Sequence, residues 1–146
     1  MRRGSILFFA GVAGATFFAT TIAAGAEPSF VGTWRSETTM AGAGGYGMVV
    51  DIENVFSPDG KYSSLTNGRY TTGPAAGQQI GAVRDTGKYS IKGGQGIIEF
   101  DNETHESTTP TTRIEKEFDR YQFTSATSFT LQSLTGGPVV VFQKVQ

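Results

Sequence analysis

The 146-residue sequence contains no cysteine and only one histidine, His105. Without cysteine the chain has no disulfide, no thiol nucleophile, no Cys-based zinc site and no lipid anchor on a cysteine side chain. Its fold must therefore rest on a hydrophobic core, which about 120 residues are enough to form. His105 lies between Glu103 and Glu106 with no second imidazole to complete a metal site. We interpret it as a solvated loop residue and expect no metal and no cofactor.

The first 26 residues have the pattern of a secretory signal peptide. Arg2-Arg3 gives a positive start, residues 6–18 form an apolar run, and Ala24-Gly25-Ala26 offers a cleavage site. A transmembrane anchor is the alternative, but the run is short for a span and contains two glycines and a threonine. The arginine pair also raises the twin-arginine route. Gly4-Ser5 follows it where that signal needs an apolar residue, so we prefer the general secretory route.

The predicted mature domain, residues 27–146, carries little net charge. Loss of the signal removes two of the 12 basic residues, and the remaining 10 face 13 acidic ones, for a formal charge of −3. A nucleic-acid partner normally requires a basic face, so the composition argues against one. We expect a single domain that is secreted or periplasmic.

Helical periodicity is nearly absent from this domain, whereas apolar and polar residues alternate in many short stretches. The clearest is residues 48–56, which end at the tight-turn sequence Ser57-Pro58-Asp59-Gly60. The segment around Trp34 is predicted to be the first strand. The further predicted strands are 61–71, 81–91, 96–101, 112–123, 127–133 and 138–145. Residues 72–79 and 102–111 are predicted loops. Asn67-Gly68 is a hairpin signal that leaves open a split of the 61–71 strand into two.

About eight strands joined mostly by short turns predict antiparallel neighbours. An open sheet would expose two edges to other chains, whereas closure into a barrel removes both. The predicted fold is therefore all-β, a single eight-stranded antiparallel up-and-down β-barrel. Eight strands enclose room for packed side chains or one small ligand.

Several short motifs resemble those of the calycin barrels, and of the lipocalins in particular. Phe30-Val31-Gly32-Thr33-Trp34 contains the opening G-x-W signature, and FSPDGKY (56–62), GKYSI (87–91), TLQSL (130–134) and VVVFQKV (139–145) follow in order. This order is similar to that of small bacterial lipocalin-like domains and covers nearly the whole mature chain.

The resemblance implies that Trp34 plugs the closed end of the barrel, beside a close backbone approach at Gly32. It also implies a basic residue of the last strand over the indole. The last strand offers Lys144, where an arginine would fit the family better. The avidins share the fold but surround their ligand with several tryptophans, so the single Trp34 argues against biotin.

No motif requires catalysis. Residues 42–47 match G-x-G-x-x-G, but an alternating strand follows them and not the helix that a dinucleotide site needs. A Ser-His-Asp set would rest on His105 alone. The carboxylate pairs Asp51/Glu53 and Glu115/Glu117 share the polar faces of their strands, which we interpret as facing water. We expect no enzymatic activity.

Inward-facing polar and aromatic residues are the candidates for a binding pocket. In the 112–123 strand, Ile114 and Phe118 share one face, and Tyr121 and Phe123 have the opposite parity. A β-bulge near Arg120 would explain the change. Lys116 and Arg120 then either face the interior, where they would meet an anionic ligand, or lie exposed. The predicted lining residues are Asn54, Tyr62, Ser64, Thr66, Tyr70, Tyr89, Phe100, Phe118 and Arg120.

These features predict an exported, non-enzymatic binding protein that holds a small, apolar or amphipathic ligand. The alternative is a protein-interaction barrel with a filled core, such as an exported protease inhibitor or an envelope structural factor. In that case the glycine-rich loop 41–47 or the loop 102–111 would contact the partner.

Overall fold

A computed structural model describes residues 28–41, 43–108 and 112–146. The predicted signal peptide lies outside these residues, so the signal and its boundary stay predictions. Among the described residues there is no helix of the length and apolarity that a membrane span requires.

Eight antiparallel strands form one closed barrel. They are β1 (Gly32–Ala41), β2 (Gly47–Phe56), β3 (Lys61–Tyr70), β4 (Gln79–Lys92), β5 (Ile97–Glu106), β6 (Thr112–Ser125), β7 (Ser128–Ser133) and β8 (Val140–Lys144). Each strand pairs with the next, and β8 pairs with β1 to close the ring. The predicted eight-stranded up-and-down barrel is confirmed.

The local signals at the β2–β3 connection act as expected. The Gly60 backbone N–H donates to the Ser57 carbonyl at 3.1 Å, and Gly60 has a φ of +81°, which suits a residue without Cβ. Asn67 and Gly68 lie inside β3, so the alternative of two short strands is wrong. The glycine-rich residues 43–45 form one 3₁₀ turn between β1 and β2.

The predicted loop 102–111 is wrong for its first half, because β5 continues to Glu106. Asn102 and Thr104 are buried, with exposed fractions of only 5% and 3%, and Glu103 between them is exposed. Both faces of this segment are polar, so the sequence shows no apolar alternation there. The connection between β5 and β6 begins at residue 107, and residues 109–111 lie outside the described part.

β6 has the opposite orientation to the predicted one over its first half. Phe118 is 40% exposed and Arg120 is exposed, whereas Glu117 and Asp119 line the interior. The prediction that Phe118 and Arg120 line a pocket is therefore wrong. No bulge occurs near Arg120: the pairing of β6 is continuous there, and the register shifts only between Phe123 and Ser125. The inward face marked by Tyr121 and Phe123 therefore continues along β6 through Asp119 and Glu117.

The two ends of the barrel differ. The tight turns after β2, β4 and β6 lie at one end, together with residues 28–31, and the remaining connections lie at the other. Aromatic residues fill the first end, which we call the floor. At the other end, the first half of β6 extends beyond β7, whose pairing with β6 starts only at Asp119. The barrel wall is therefore open beside residues 112–118.

Candidate functional site

The floor is built around Trp34 and Phe30. Trp34 is fully buried, and its Nε1–H donates to the Phe30 carbonyl at 2.6 Å. The Phe30 ring lies 4.7–5.4 Å from the rings of Phe56, Tyr121, Phe123 and Phe129. Such tilted and edge-on contacts suit the quadrupoles of aromatic rings. The indole is therefore a satisfied structural plug.

Lys144 of β8 closes the floor from the side. Its Nζ lies 5.3 Å from the centre of the Trp34 ring, within cation–π range. Gly32 makes this position possible, because a Cβ there would approach the Lys144 Cε to 2.9 Å. Gly32 also has a φ of +129°, which residues with side chains rarely adopt. The predicted pairing of Gly32, Trp34 and a basic residue from the last strand is therefore present in the geometry.

A cavity of about 260 Å³ lies above the floor and inside the barrel. Five of the predicted residues line it: Asn54, Tyr62, Ser64, Thr66 and Phe100. Its apolar wall comes from Ile52, Leu131, Pro138, Val140 and Phe142. Whether these residues bind a ligand stays a prediction.

Tyr70 and Tyr89 do not line this cavity, although both were predicted to do so. Tyr70 ends β3, and its backbone carbonyl and N–H hold the following loop through Gly77 and Gln78. Tyr89 packs edge-on against Phe56 at 5.0 Å, and its hydroxyl donates to the Ser57 carbonyl at 3.0 Å. The first therefore organises the open end and the second belongs to the floor.

A second hollow continues from the cavity toward the open end. It shares Thr66 with the first and also has a volume of about 260 Å³. Its walls are mainly apolar, with Met48, Val50, Ile80 and Val83 among them. The interior thus runs from an aromatic floor to a polar middle and then to an apolar upper wall.

The polar middle contains three carboxylates that were not predicted to lie there. Asp85 comes from β4, and Glu117 and Asp119 come from β6. The Thr104 hydroxyl donates to Asp85 Oδ1, and Asn102 Nδ2 donates to Glu117 Oε2 at 3.1 Å. The parity shared by Glu117, Asp119, Tyr121 and Phe123 was the signal that could have revealed two of them.

The cavity environment disfavours the charged forms of these groups. Burial raises the pKa of Asp119 to about 7, and the nearby Glu117 carboxylate adds to the effect. Glu117 is exposed through the open wall, yet partial withdrawal of its carboxyl from water still raises its pKa. Burial, followed by the charge of Asp85, raises the pKa of the Tyr62 phenol well above its usual range.

Two cations, Lys116 and Arg120, were predicted either to face the interior or to lie exposed, and both lie outside the cavity. Lys116 Nζ contacts Glu99 Oε1 at 2.9 Å and Asp101 Oδ1 at 3.1 Å on the outer surface. Arg120 is exposed, and neither residue lines the cavity. An anionic ligand held by these two cations is therefore not supported.

His105 and the glycine-rich loop provide no additional site. His105 Nε2 lies 3.0 Å from Glu103 Oε1, and its Nδ1 lies 3.1 Å from Thr112 Oγ1, on an exposed surface. No group of three or more His, Cys, Asp or Glu residues in the described part of the chain could hold a metal ion. The 3₁₀ turn at 43–45 leads directly into β2, so the helix of a dinucleotide site does not follow it.

Comparisons with known proteins give no assignment: no family model matches the sequence, and no curated protein matches it significantly.

Proposed function

We propose that the chain is an exported, non-enzymatic binding protein of the lipocalin-like kind, which holds a small, partly apolar ligand inside its barrel. The observation that carries the proposal is the 260 Å³ cavity between an aromatic floor and an open wall. This volume lies just below the usual range for small-molecule sites, which are mostly apolar clefts with a few polar groups. The closed barrel with a G-x-W plug is compatible with the lipocalin-like fold that the motifs resemble.

Export is proposed because residues 1–26 have the pattern of a signal peptide. The absence of enzymatic activity is proposed because the sequence pattern shows no nucleophile–base pair. The alternative, an interaction barrel with a filled core, is less well supported because the interior above Phe100 is not filled. Its proposed contact loops are now shorter, since residues 102–106 belong to β5.

The test is binding of the neutral fluorescent probe N-phenylnaphthylamine, together with native mass spectrometry of the purified protein. We expect saturable probe binding that is lost in Ser64→Trp, because Ser64 lines the cavity and an indole there would fill it. Ser63→Trp on the opposite face of β3 is the matched control and should bind as the unmodified protein does.

Two results would contradict the proposal. The first is no saturable probe binding and no retained small molecule. The second is equal loss of binding in the Ser64 and Ser63 variants, which would show that the probe does not occupy the cavity.

A further inference from the structure

The chemistry of the cavity narrows the class of ligand. We propose that it recognises a small organic cation, an amine on an aromatic or aliphatic body, with Asp85, Glu117 and Asp119 as counter-charges. This inference rests on the proposed binding function and specifies its ligand.

The first observation is the sign of the charge inside. Three carboxylates line the cavity, and none of its lining residues is a lysine, arginine or histidine. On β4 and β6, Lys92 and Lys116 are held on the outer surface by Glu99 at 2.6 and 2.9 Å. Charge of one sign in a partly enclosed space attracts the opposite charge, because low-dielectric walls focus the field.

The second observation is a set of buried oxygens without donors. Oδ1 of Asn54, Oδ1 of Asn102 and Oδ1 of Asp119 have no hydrogen-bond partner within the described residues. These three residues are only 5–8% exposed, and all three line the cavity. A buried acceptor left unpaired costs about 1–3 kcal/mol, so such groups normally have a partner.

The missing partner must be a donor. Asn102 Nδ2 already donates to Glu117, which fixes the Asn102 carbonyl oxygen as the free atom. An ammonium group carries up to three N–H donors and no acceptor, and therefore matches a site made of oxygens. Water would satisfy single oxygens, but it would not compensate the charge of the carboxylates that are ionised.

The walls favour an organic cation over a metal ion. The described residues contain no cluster of carboxylates close enough to ligate a metal, so a compact ion cannot be held by all three. Tyr62 and Phe100, with ring centres 4.8 Å apart, present aromatic surface to the same cavity. A cation with an apolar body gains from both kinds of wall.

The protonation of Asp119 gives the proposal a pH signature. The titratable groups that face Asp119 are Glu117 on the same strand, Asp85 on β4 and Tyr62 on β3, and β5 contributes the neutral Asn102. Because the Asp119 pKa is raised to about 7, the carboxylate that attracts a cation forms only as the pH rises through that value. Amine binding should therefore strengthen from pH 5 to pH 8.

The experiment is calorimetric titration of the purified protein with a panel of amines, each paired with a neutral isostere. One pair is phenethylamine and phenethyl alcohol, with phenylpropanoate as the anion. At pH 8 we expect the best amine to bind at least about tenfold more tightly than its isostere, and the anion not to bind. Asp119→Asn should reduce amine affinity about tenfold, leave alcohol affinity within about twofold and weaken the pH dependence.

Glu37→Gln, which removes an exposed carboxylate from the outer face of β1, is the matched control and should leave amine binding unchanged. The inference is overturned if no amine is preferred over its isostere while N-phenylnaphthylamine still binds in the cavity. That result would leave the proposed function intact. Saturable binding of Ca²⁺ alone that is lost in Asp119→Asn would also overturn it, in favour of a metal site. Failure of both the amines and the neutral probe would reject the proposed function and the inference together.

Discussion

The floor and the middle of the barrel are built from the same eight strands but bury different kinds of side chain. In the floor, aromatic and apolar side chains pack together, Lys144 covers the indole from the side, and the indole N–H is paired with the Phe30 carbonyl. In the middle, three carboxylates share a partly buried space, and three buried oxygens have no partner within the described residues. The floor therefore stabilises the fold, whereas the middle costs stability.

This difference indicates where selection for a function would act. A barrel needs a packed core, which the floor supplies, but it does not need unpaired acceptors or clustered carboxylates. Local rules are broken most often at functional sites, where the cost is offset elsewhere in the fold. The comparison predicts that substitutions in the floor lower stability and that neutralising the middle raises it.

The largest expected effect is that of Trp34→Ala in the floor. Removal of a fully buried indole leaves a cavity among packed rings and should lower the free energy of unfolding by about 3–5 kcal/mol. Urea denaturation followed by circular dichroism measures this loss. Phe118→Ala, on the outer surface, is the control and should cost less than about 1 kcal/mol. Similar losses in the two variants would contradict the floor as the main source of stability.

The second largest effect is a gain in stability, expected when Asp119 in the middle of the barrel is neutralised. Because the pKa of Asp119 is raised from 3.8 to about 7, the folded state binds a proton that the unfolded state releases between these values. Stability of the unmodified protein should therefore fall as the pH rises from about 4 to about 7. Asp119→Asn removes this loss and should raise the free energy of unfolding at pH 8 by roughly 2–4 kcal/mol, with little change at pH 4.

Urea titrations at several pH values test that prediction, with Glu37→Gln as the exposed control. If Asp119→Asn destabilised the protein at pH 8, the carboxylate would have to be paired in the folded state, and the contrast between floor and middle would fail.

The third effect concerns the backbone beneath the indole. Gly32→Ala places a Cβ 2.9 Å from Lys144 Cε at a φ of +129° and should cost on the order of 1–3 kcal/mol. Gly93→Ala is the matched control, since a Cβ there would meet nothing within 4 Å and no left-handed φ is involved. Equal thermal midpoints for the two variants would show that the close approach at Gly32 is not required.

The smallest effect is expected at Lys144. Lys144→Gln removes the cation over the indole and should cost about 0.5–1 kcal/mol, whereas Lys144→Arg should retain most of this stability. Urea denaturation monitored by Trp34 fluorescence measures both. If the arginine variant were as unstable as the glutamine variant, packing of the side-chain stem would explain the loss better than the charge.

Most of the fold could be predicted from the sequence because its signals are local. Alternation over 48–56 and the turn residues 57–60 each specify their own conformation, whatever lies elsewhere in the chain. One error falls where a segment is polar on both faces, at residues 102–106. There the hydrophobic pattern that marks a strand is missing.

The candidate site was predicted only in part for a related reason. Asn54, Ser64 and Thr66 follow apolar neighbours of the same parity, so their inward orientation could be deduced. In β6, Ile114 and Phe118 lie on one face of the strand, and Tyr121 and Phe123 lie on the other. The prediction took the face of Ile114 and Phe118 as the inward one, but these two residues are exposed. Ile114 is 85% exposed because β6 extends beyond β7 at this level.

The eight strands, their antiparallel order and the aromatic plug follow from the sequence alone, because alternation, turn chemistry and a single indole are properties of short segments. That Asp85 of β4 lines the same cavity as Glu117 and Asp119 of β6 depends instead on how the strands close into a ring. Parity fixes which residues of a strand share a face, but not which face turns inward. Closure of the ring fixes the inward face of all strands together. A polar residue is therefore buried in the interior where it shares a strand face with the aromatic residues of the floor.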